Sequence, residues 1–505
     1  MTQTTEPTKK ASRRSSGLLL HPTSLPGPYG IGDLGPAAYG WVEALVSVKQ
    51  KWWQILPLGP TSYGDSPYQC FSAFAGNPYL VSPDKLIEDG LLTRSDVSGA
   101  DFPADKVDYG PVIAYKIKLL TRAWENFKAG KAPALRAAFD QFRAEQAGWL
   151  DDYGLFMALK DAHGGVSWLE WEAEARLRQP AALEKARAKL AEAIEAHEFR
   201  QFLFFRQWFA LKAYAHQKGL RLIGDAPIFV AADSSDVWAN PGLFLLDDQR
   251  RPKVVAGVPP DYFSATGQLW GNPLYDWKAL KQTRYTWWIA RLRATLAQVD
   301  LARIDHFRGF EAYWEIPAGL PTAEKGQWVK GPGADLFVAL TQAFGDHLPV
   351  IAEDLGVITP EVEALRTRFH LPGMRVLQFA FGGATEDRFL PHNYENTYTV
   401  VYTGTHDNDT TRGWYQTIAV PERDLVRRYL ACDGRDIAWD MIRLAWSSIA
   451  DYAVAPLQDV LDLGAEARMN RPGRPSGNWQ WRFVEGQLTR AKLERLGELT
   501  ELFGR

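Results

Sequence analysis

The sequence predicts an α/β fold, a closed (β/α)8 or TIM barrel carrying helical insertions. Three observations predict it. Eight short β-rich runs mostly end in a polar residue and a turn, amphipathic helical stretches separate the later ones, and the 505 residues have an ordinary globular composition. Apolar strands alternating with helices argue for a parallel sheet, and eight such units argue for a sheet closed on itself.

Residues 1–16, MTQTTEPTKKASRRSS, carry Lys9, Lys10, Arg13 and Arg14 and are expected to be a disordered basic tail. A secretory signal would follow such charges with an apolar run of about 7–15 residues. Here Leu18, Leu19 and Leu20 meet His21 and Pro22 at once.

The barrel is expected over 17–505. Its eight runs start with GLLLHP from Gly17, WWQILPLGP from Trp52, LRLIGDAP from Leu220 and VDLARIDHF from Val299. LPVIAEDLG from Leu348, MRVLQFAFGG from Met374, TYTVVYTGTHDND from Thr397 and DYAVAPLQDVLDLG from Asp451 complete the set. PEVEALRTRF after the fifth run, and RGWYQTI with ERDLVRRYLA after the seventh, read as helices. Residues 80–215, between the second and third runs, are mostly helical in pattern. One βα connection needs far fewer residues, so they read as an inserted helical subdomain. Residues 244–298, rich in Pro, Gly and Trp, read as a smaller, loop-rich insertion after the third strand. After the eighth run come a polar GRPSGNWQW loop and the helix VEGQLTRAKLERLGELTELF, leaving no room for a C-terminal all-β domain.

The 57 Lys+Arg and 60 Asp+Glu give a net charge of −3, with 13% aromatic residues. Disorder would need few aromatics and a large net charge, and a nucleic-acid partner would call for a basic excess. No stretch approaches the roughly 20 apolar residues that span a bilayer, so no membrane partner is expected. Two cysteines, Cys70 and Cys432, build neither a disulfide framework nor a four-thiolate zinc site, which fits a reducing compartment, the cytoplasm. Many rings sit in polar, Gly/Pro-rich strings: Tyr63 and Tyr68 in TSYGDSPYQ, Tyr262 and Phe263 in PPDYFSATG, Trp479 and Trp481 in SGNWQW. Large aromatics fill large cores, but rings on loops beside carboxylates and amides suit a sugar, with its apolar faces and hydroxyl rims.

Chemistry in TIM barrels sits at the C-terminal ends of the strands, and the residues closing these runs are acidic: Asp225, Asp305, Glu353 and Asp407. Arg303 and Asp305, two apart on a strand, share a face, and the guanidinium is expected to depress the carboxyl pKa and keep it ionised. That is what a glycosidic nucleophile needs. Glu353, near other carboxylates and shielded from water, is expected to have a raised pKa suited to a general acid. Asp407 would hold the sugar. Read alone, Arg303–Asp305 is equally a structural ion pair, Glu353–Asp354 a helix cap and His406–Asp407 a polar turn. Metal catalysis finds no HxH, HExxH or CxxC spacing, and Arg303 and Arg308 beside Asp305 would repel a cation. No metal and no cofactor are expected. Gly30 to Gly35 match GxGxxG, but LPGPY rather than a strand precedes them, so a first βα loop is the reading. Asn408-Asp409-Thr410 matches a glycosylation sequon, discounted without a secretory signal.

The strings RIDHFRG, IAEDLG and TGTHDND resemble the three catalytic motifs of the α-amylase superfamily. LLLHPTSLPGPYGIGDLG, LPLGPTSYGDSPYQ, FSAFAGNPYL, IGDAPIFVAADSSDVW, GVPPDYFSATGQLWGNPLY and PGRPSGNWQWR closely resemble the amylomaltases, or 4-α-glucanotransferases, of glycoside hydrolase family 77. The likeness runs from about Gly17 to the C-terminus. It implies retaining transfer of α-1,4-glucan segments, from malto-oligosaccharide, amylose or glycogen donors, to the 4-hydroxyl of a glucose or glucan acceptor. It also implies Asp305 as nucleophile, Glu353 as acid/base and Asp407 as transition-state stabiliser. Arg303, His406 and Asp225 match positions binding the sugar at the cleavage point, and Ser66, Tyr68, Trp270 and Asn478 match substrate-lining motifs. Cys70 stands where a small polar residue such as Ser is expected.

The segment Pro259 to Pro273 is the expected acceptor platform, with Tyr262, Phe263 and Trp270 as flat surfaces and Gln268 as a hydroxyl reader. Its plainer reading is a packed loop at the barrel rim. A hydrolase of the same superfamily would use the same three carboxylates, so the triad alone does not separate the two activities. A non-catalytic glucan-binding barrel would have no use for three mutually repelling acids.

Overall fold

The structure, a computed structural model, describes residues 14–99, 101–260, 264–383 and 386–505. In chain order its strands are β1 (Ser15–Leu19), β2 (Trp52–Gln54), β3 (Arg221–Pro227), β4 (Val254–Val258), β5 (Gln268–Pro273) and β6 (Leu301–Asp305). β7 (Ala312–Pro317), β8 (Gln327–Lys330), β9 (Val350–Ala352), β10 (Gly373–Val376), β11 (Thr399–Tyr402) and β12 (Tyr452–Pro456) follow. The eight runs read as strands are β1, β2, β3, β6, β9, β10, β11 and β12. They form one sheet in the order β10-β11-β12-β1-β2-β3-β6-β9, each neighbouring pair parallel. The ring closes between β9 and β10, where Ala352 N–H donates to the Pro372 carbonyl at 2.9 Å. Among the described residues no strand follows β12. No helix among them is long and apolar enough to cross a membrane.

The period of two along each strand sorts side chains between two cores. Leu19, Trp52, Ile223, Leu301, Ile351, Met374, Val400, Tyr402 and Val454 cluster inside the barrel. Leu18, Trp53, Leu222, Ala302, Ile304, Ala352, Val401 and Ala453 face outward to the helices. Both faces are dry, which explains why the runs read as continuously apolar. Gly17 lets β1 and β2 approach closely, since a Cβ there would lie 2.5 Å from the Trp52 Cβ.

The start of the barrel departs from expectation. Ser15 and Ser16, assigned to the tail, are the first residues of β1 and pair with Tyr452 and Ala453. Arg14 donates to the Trp446 carbonyl at 2.7 Å. Residues 1–13 lie outside the described residues.

Between β2 and β3 the long helices are Tyr109–Lys128, Leu135–Ala162 and Ala191–Gln217. They share a ring cluster in which Phe127 stacks on Phe199 at 4.4 Å and Phe139 meets Phe199 edge-on at 5.4 Å. A ring so buried contributes about 3–5 kcal/mol relative to Ala. The boundary expected at 215 falls inside the third helix. That helix also covers the barrel, with Trp208 packed on Trp53 of β2 at 6.4 Å.

The insertion read as loop-rich over 244–298 contains β4, β5 and helix Thr286–Gln298. β4 and β5 join β7 and β8, which follow the fourth barrel strand, in an antiparallel sheet ordered β5-β4-β7-β8. Gly and Pro punctuate these short segments, and their partners lie far along the chain. Local pattern therefore reads them as loop.

The GxGxxG segment is a loop after β1, as expected. Asp33 Oδ1 accepts the Gly35 N–H at 3.0 Å, and its other oxygen lies 3.3 Å from the buried Lys116 ammonium.

Candidate active site

The period that turns Ile223 and Leu301 into the barrel also turns Asp225, Arg303 and Asp305 inward at its C-terminal mouth. Register sets Asp225 opposite Arg303. Arg303 Nε and Nη2 both donate to Asp225 Oδ2, at 2.9 and 2.6 Å, and Nη2 also reaches Asp305 Oδ1 at 3.0 Å. Tyr68, from the loop after β2, donates its hydroxyl to Asp225 Oδ2 at 2.7 Å and accepts from Arg303 Nη2 at 3.3 Å. Burial works against the charge on Arg303, but the facing Asp225, Tyr68, Asp305 and Glu353 outweigh it and hold the guanidinium firmly cationic. Asp225 Oδ1 is buried with no donor among the described residues.

Glu353 follows β9 directly. Its Oε2 accepts the His306 N–H at 2.7 Å and its Oε1 accepts the Leu355 N–H at 2.8 Å. His306 adopts left-handed backbone angles immediately after Asp305 (φ 54, ψ 47), so one peptide joins the end of β6 to the carboxyl beyond β9. Burial, then the Asp305 charge, push Glu353 up to about 8. Asp305 corrects an expectation. Arg303 does pull its carboxyl down, but burial outweighs that, Asp225 and Asp407 add repulsion, and Asp305 stands at about 6. The two carboxyls are still split in the useful order.

A pH profile follows with a definite sign. If Asp305 must be ionised, kcat/KM falls as pH drops through about 6; if Glu353 must be protonated, it falls as pH rises through about 8. The interacting pair should give a bell with apparent limbs near those values. Initial rates from pH 4 to 10, roughly the span that brackets both limbs, check this. A flat alkaline side would remove Glu353 as the acid.

Asp407 lies past β11 in a turn closed by Asn408, whose Oδ1 accepts from the Thr405 N–H and Oγ–H at 2.9 Å each. The Asp305 and Asp407 side chains are 32% and 46% exposed, so both carboxylates can be reached from the cleft. The His406 ring stacks on Tyr68 at 5.0 Å, and burial first, then Arg303, hold its pKa below the ordinary value.

The remaining expected residues separate. Ser66 Oγ accepts the Tyr68 backbone N–H at 3.2 Å and so braces the loop that carries that ring. Trp270 stands edge-on to His306 at 4.8 Å and donates Nε1 to Gln268 Oε1 at 3.2 Å, so the expected hydroxyl reader is engaged with its neighbour. Asn478 differs from expectation. It is buried and spends its amide on its own loop, accepting from the Arg471 N–H and donating to the Arg474 carbonyl, both at 2.9 Å. The loop presents Trp479 to the cluster instead, tilted against Tyr68 at 5.8 Å and His406 at 5.9 Å. Arg308 also points elsewhere, donating to the Val357 carbonyl at 2.5 Å with its guanidinium 3.7 Å over Trp328. Tyr262 and Phe263 lie outside the described residues.

Two residues that the sequence reading missed hold Asp407. Asn470 Nδ2 donates to its Oδ1 at 2.6 Å, and Arg468 Nη2 donates to its carbonyl at 2.6 Å. Nothing in GAEARMNRPG marks them, because their partner is some 60 residues upstream (Arg468 and Asp407 are 61 apart). Among the described residues no group of three or more His, Cys, Asp or Glu side chains is placed to hold a metal ion. A cleft of ionised and protonated carboxyls, a guanidinium and stacked rings can bind a sugar, protonate a leaving oxygen and offer a nucleophile.

The family described as 4-alpha-glucanotransferase, glycoside hydrolase 77, matches residues 20–488. A 4-alpha-glucanotransferase of Thermus thermophilus is 56% identical over 498 residues, 97% of this chain and 99% of the relative. One from Synechocystis sp. is 52% identical over 496 residues, 98% of each chain. Among solved structures, the amylomaltase from Streptococcus agalactiae in complex with acarbose superposes with a TM-score of 0.95 at 40% identity, covering 97% of this chain and 99% of that one.

Proposed function

The chain belongs to the 4-alpha-glucanotransferase family, glycoside hydrolase 77, and from that membership we propose that its glucan transfer runs as a retaining double displacement on Asp305, Glu353 and Asp407. Its activity is 4-alpha-glucan transfer and its substrates are α-1,4-glucans. Glu353 protonates the glycosidic oxygen as Asp305 attacks the anomeric carbon, giving a glycosyl ester and a free reducing sugar. Asp407 bonds sugar hydroxyls while the ring flattens, and Arg303, His406, Asp225 and Tyr68 bind the same sugar. The acceptor 4-hydroxyl then gives its proton to Glu353 and displaces Asp305, so configuration is retained.

One observation carries the reading. Two reachable or cleft-facing carboxyls joined through the His306 peptide have their pKa values set apart, near 6 and near 8, leaving one ionised and one protonated at neutral pH. Ser66 supports the site through Tyr68, Trp270 walls it beside His306, and Asn478 braces the loop that delivers Trp479. Tyr262, Phe263 and Gln268 serve as the acceptor platform. Free thiols at Cys70 and Cys432 fit a cytoplasmic location, which cell fractionation tests.

Incubation with maltotriose tests the activity. Transfer yields glucose together with a ladder of longer oligosaccharides; glucose and maltose alone would mean hydrolysis, and no change would leave only binding. In the same assay Tyr262→Ala should raise the reducing sugar released per glucosyl unit transferred. An unchanged ratio would move acceptor selection elsewhere in the cleft.

A further inference from the structure

We propose that Asp354 is a positioning residue for the acid step, a buried side-chain splice that stands in for a strand bond at the barrel seam and aims Glu353. The inference rests on the reading of Glu353 as the acid.

Asp354 follows Glu353 directly, and its side chain is 1% exposed. On the β6 side the chain is held by ordinary ladder bonds, with Glu353 N–H donating to the Ile304 carbonyl at 3.1 Å. On the β10 side the ladder begins normally, Ala352 N–H to the Pro372 carbonyl, and then departs. In a regular parallel ladder the Met374 N–H would return to the Ala352 carbonyl. It donates instead to Asp354 Oδ1 at 2.7 Å.

The rest of the pocket is built around that carboxylate. Arg366 Nε and Arg375 Nη1 lie 3.3 and 3.5 Å from its Oδ2, and Arg388 Nη2 donates to the Asp354 carbonyl at 2.6 Å. The carboxylate packs directly on Gly373, where a Cβ would come within 2.5 Å of Oδ2. A buried charge is retained only with such pairing, and removing one partner is costly. None of these groups belongs to the Asp225–Arg303–Asp305 cluster. What they constrain is the peptide that carries Glu353, gripped by β6 before the acid and by the Asp354 side chain after it. Glu353 can accept from the His306 and Leu355 amides only if that peptide keeps its orientation.

A residue that positions only the acid should matter only where a proton must be delivered. Asp354→Asn keeps the shape but sets an amide against two guanidiniums. On maltotriose its kcat should fall about 10–100-fold, part of the 10²–10⁴ that a general acid supplies, with KM changed much less. With α-maltosyl fluoride, whose leaving group needs no proton, the first-turnover burst of fluoride should stay within about threefold of the unmodified enzyme. Because Asp354→Asn loses a buried partner and can fail to fold, Arg388→Gln releases the same peptide from the partly exposed side. It should show the same donor-selective loss at smaller size. Equal losses on both donors, or no loss on either, in the variant that folds would overturn the proposal. Glu353→Gln is the reference. If it shows no donor selectivity, the acid assignment has failed; if it does and the Asp354 and Arg388 variants do not, only the positioning role has failed.

Discussion

Replacing Asp305 by Asn is expected to remove transfer and hydrolysis together, lowering kcat on maltotriose by at least about four decades. An amide oxygen cannot form and release the glycosyl ester, and among the described residues no other carboxylate of the site is free to do so in its stead. Asp407 is held by Asn470, and Asp225 is occupied by Arg303 and Tyr68. The fold should survive. Arg303 keeps its two bonds to Asp225, and the substitution removes one of several crowded negative charges from a group that is already one-third open to the cleft. The thermal midpoint should therefore stay within about 4 °C of the unmodified protein. Initial rates and a melting curve on the same preparation check both halves. Activity within about tenfold of the unmodified enzyme would end the assignment of Asp305 as nucleophile.

Glu353→Gln should be nearly as damaging on natural donors, about 10²–10⁴-fold, and should spare a first turnover that needs no proton. Gln keeps the size of the side chain and one carbonyl oxygen for the His306 or Leu355 amide, while its NH2 faces the other amide, so one of the two backbone bonds is lost. It also loses the proton that burial and Asp305 keep on the carboxyl at neutral pH. The alkaline limb of the pH profile should vanish with it, leaving the Asp305 limb near 6. Stopped-flow fluoride release and steady-state transfer on one enzyme sample separate the two steps. Equal losses in both would mean that Glu353 supports the site without delivering a proton.

The features legible in the sequence were those that one short segment decides. Strand identity follows from runs of β-branched and large apolar residues closed by a turn, and all eight such runs became barrel strands. Period two then places Arg303 beside Asp305 on the inner face with no knowledge of any partner. The acids at the strand ends are legible in the same local way, and the family resemblance added their roles and Tyr68, a ring that the structure sets against Asp225.

Tertiary structure alone decided whatever depends on distant segments meeting. The antiparallel sheet pairs Val255 with Ile316 and Trp314 with Trp328, and neither β4 nor β5 declares itself a strand without its partners, since strand character at a Gly- and Pro-broken segment comes from cross-strand bonds. Asn470 and Arg468 reach Asp407 for the same reason, as does the Asp354 splice between β9 and β10. The charge state of Asp305 is the sharpest case. A neighbouring Arg303 lowers its pKa, which the tripeptide predicts, but the net direction is set by burial and by Asp225 and Asp407 arriving from other strands. Side-chain direction is a local property of the backbone; dielectric and field are sums over everything the fold gathers round the group.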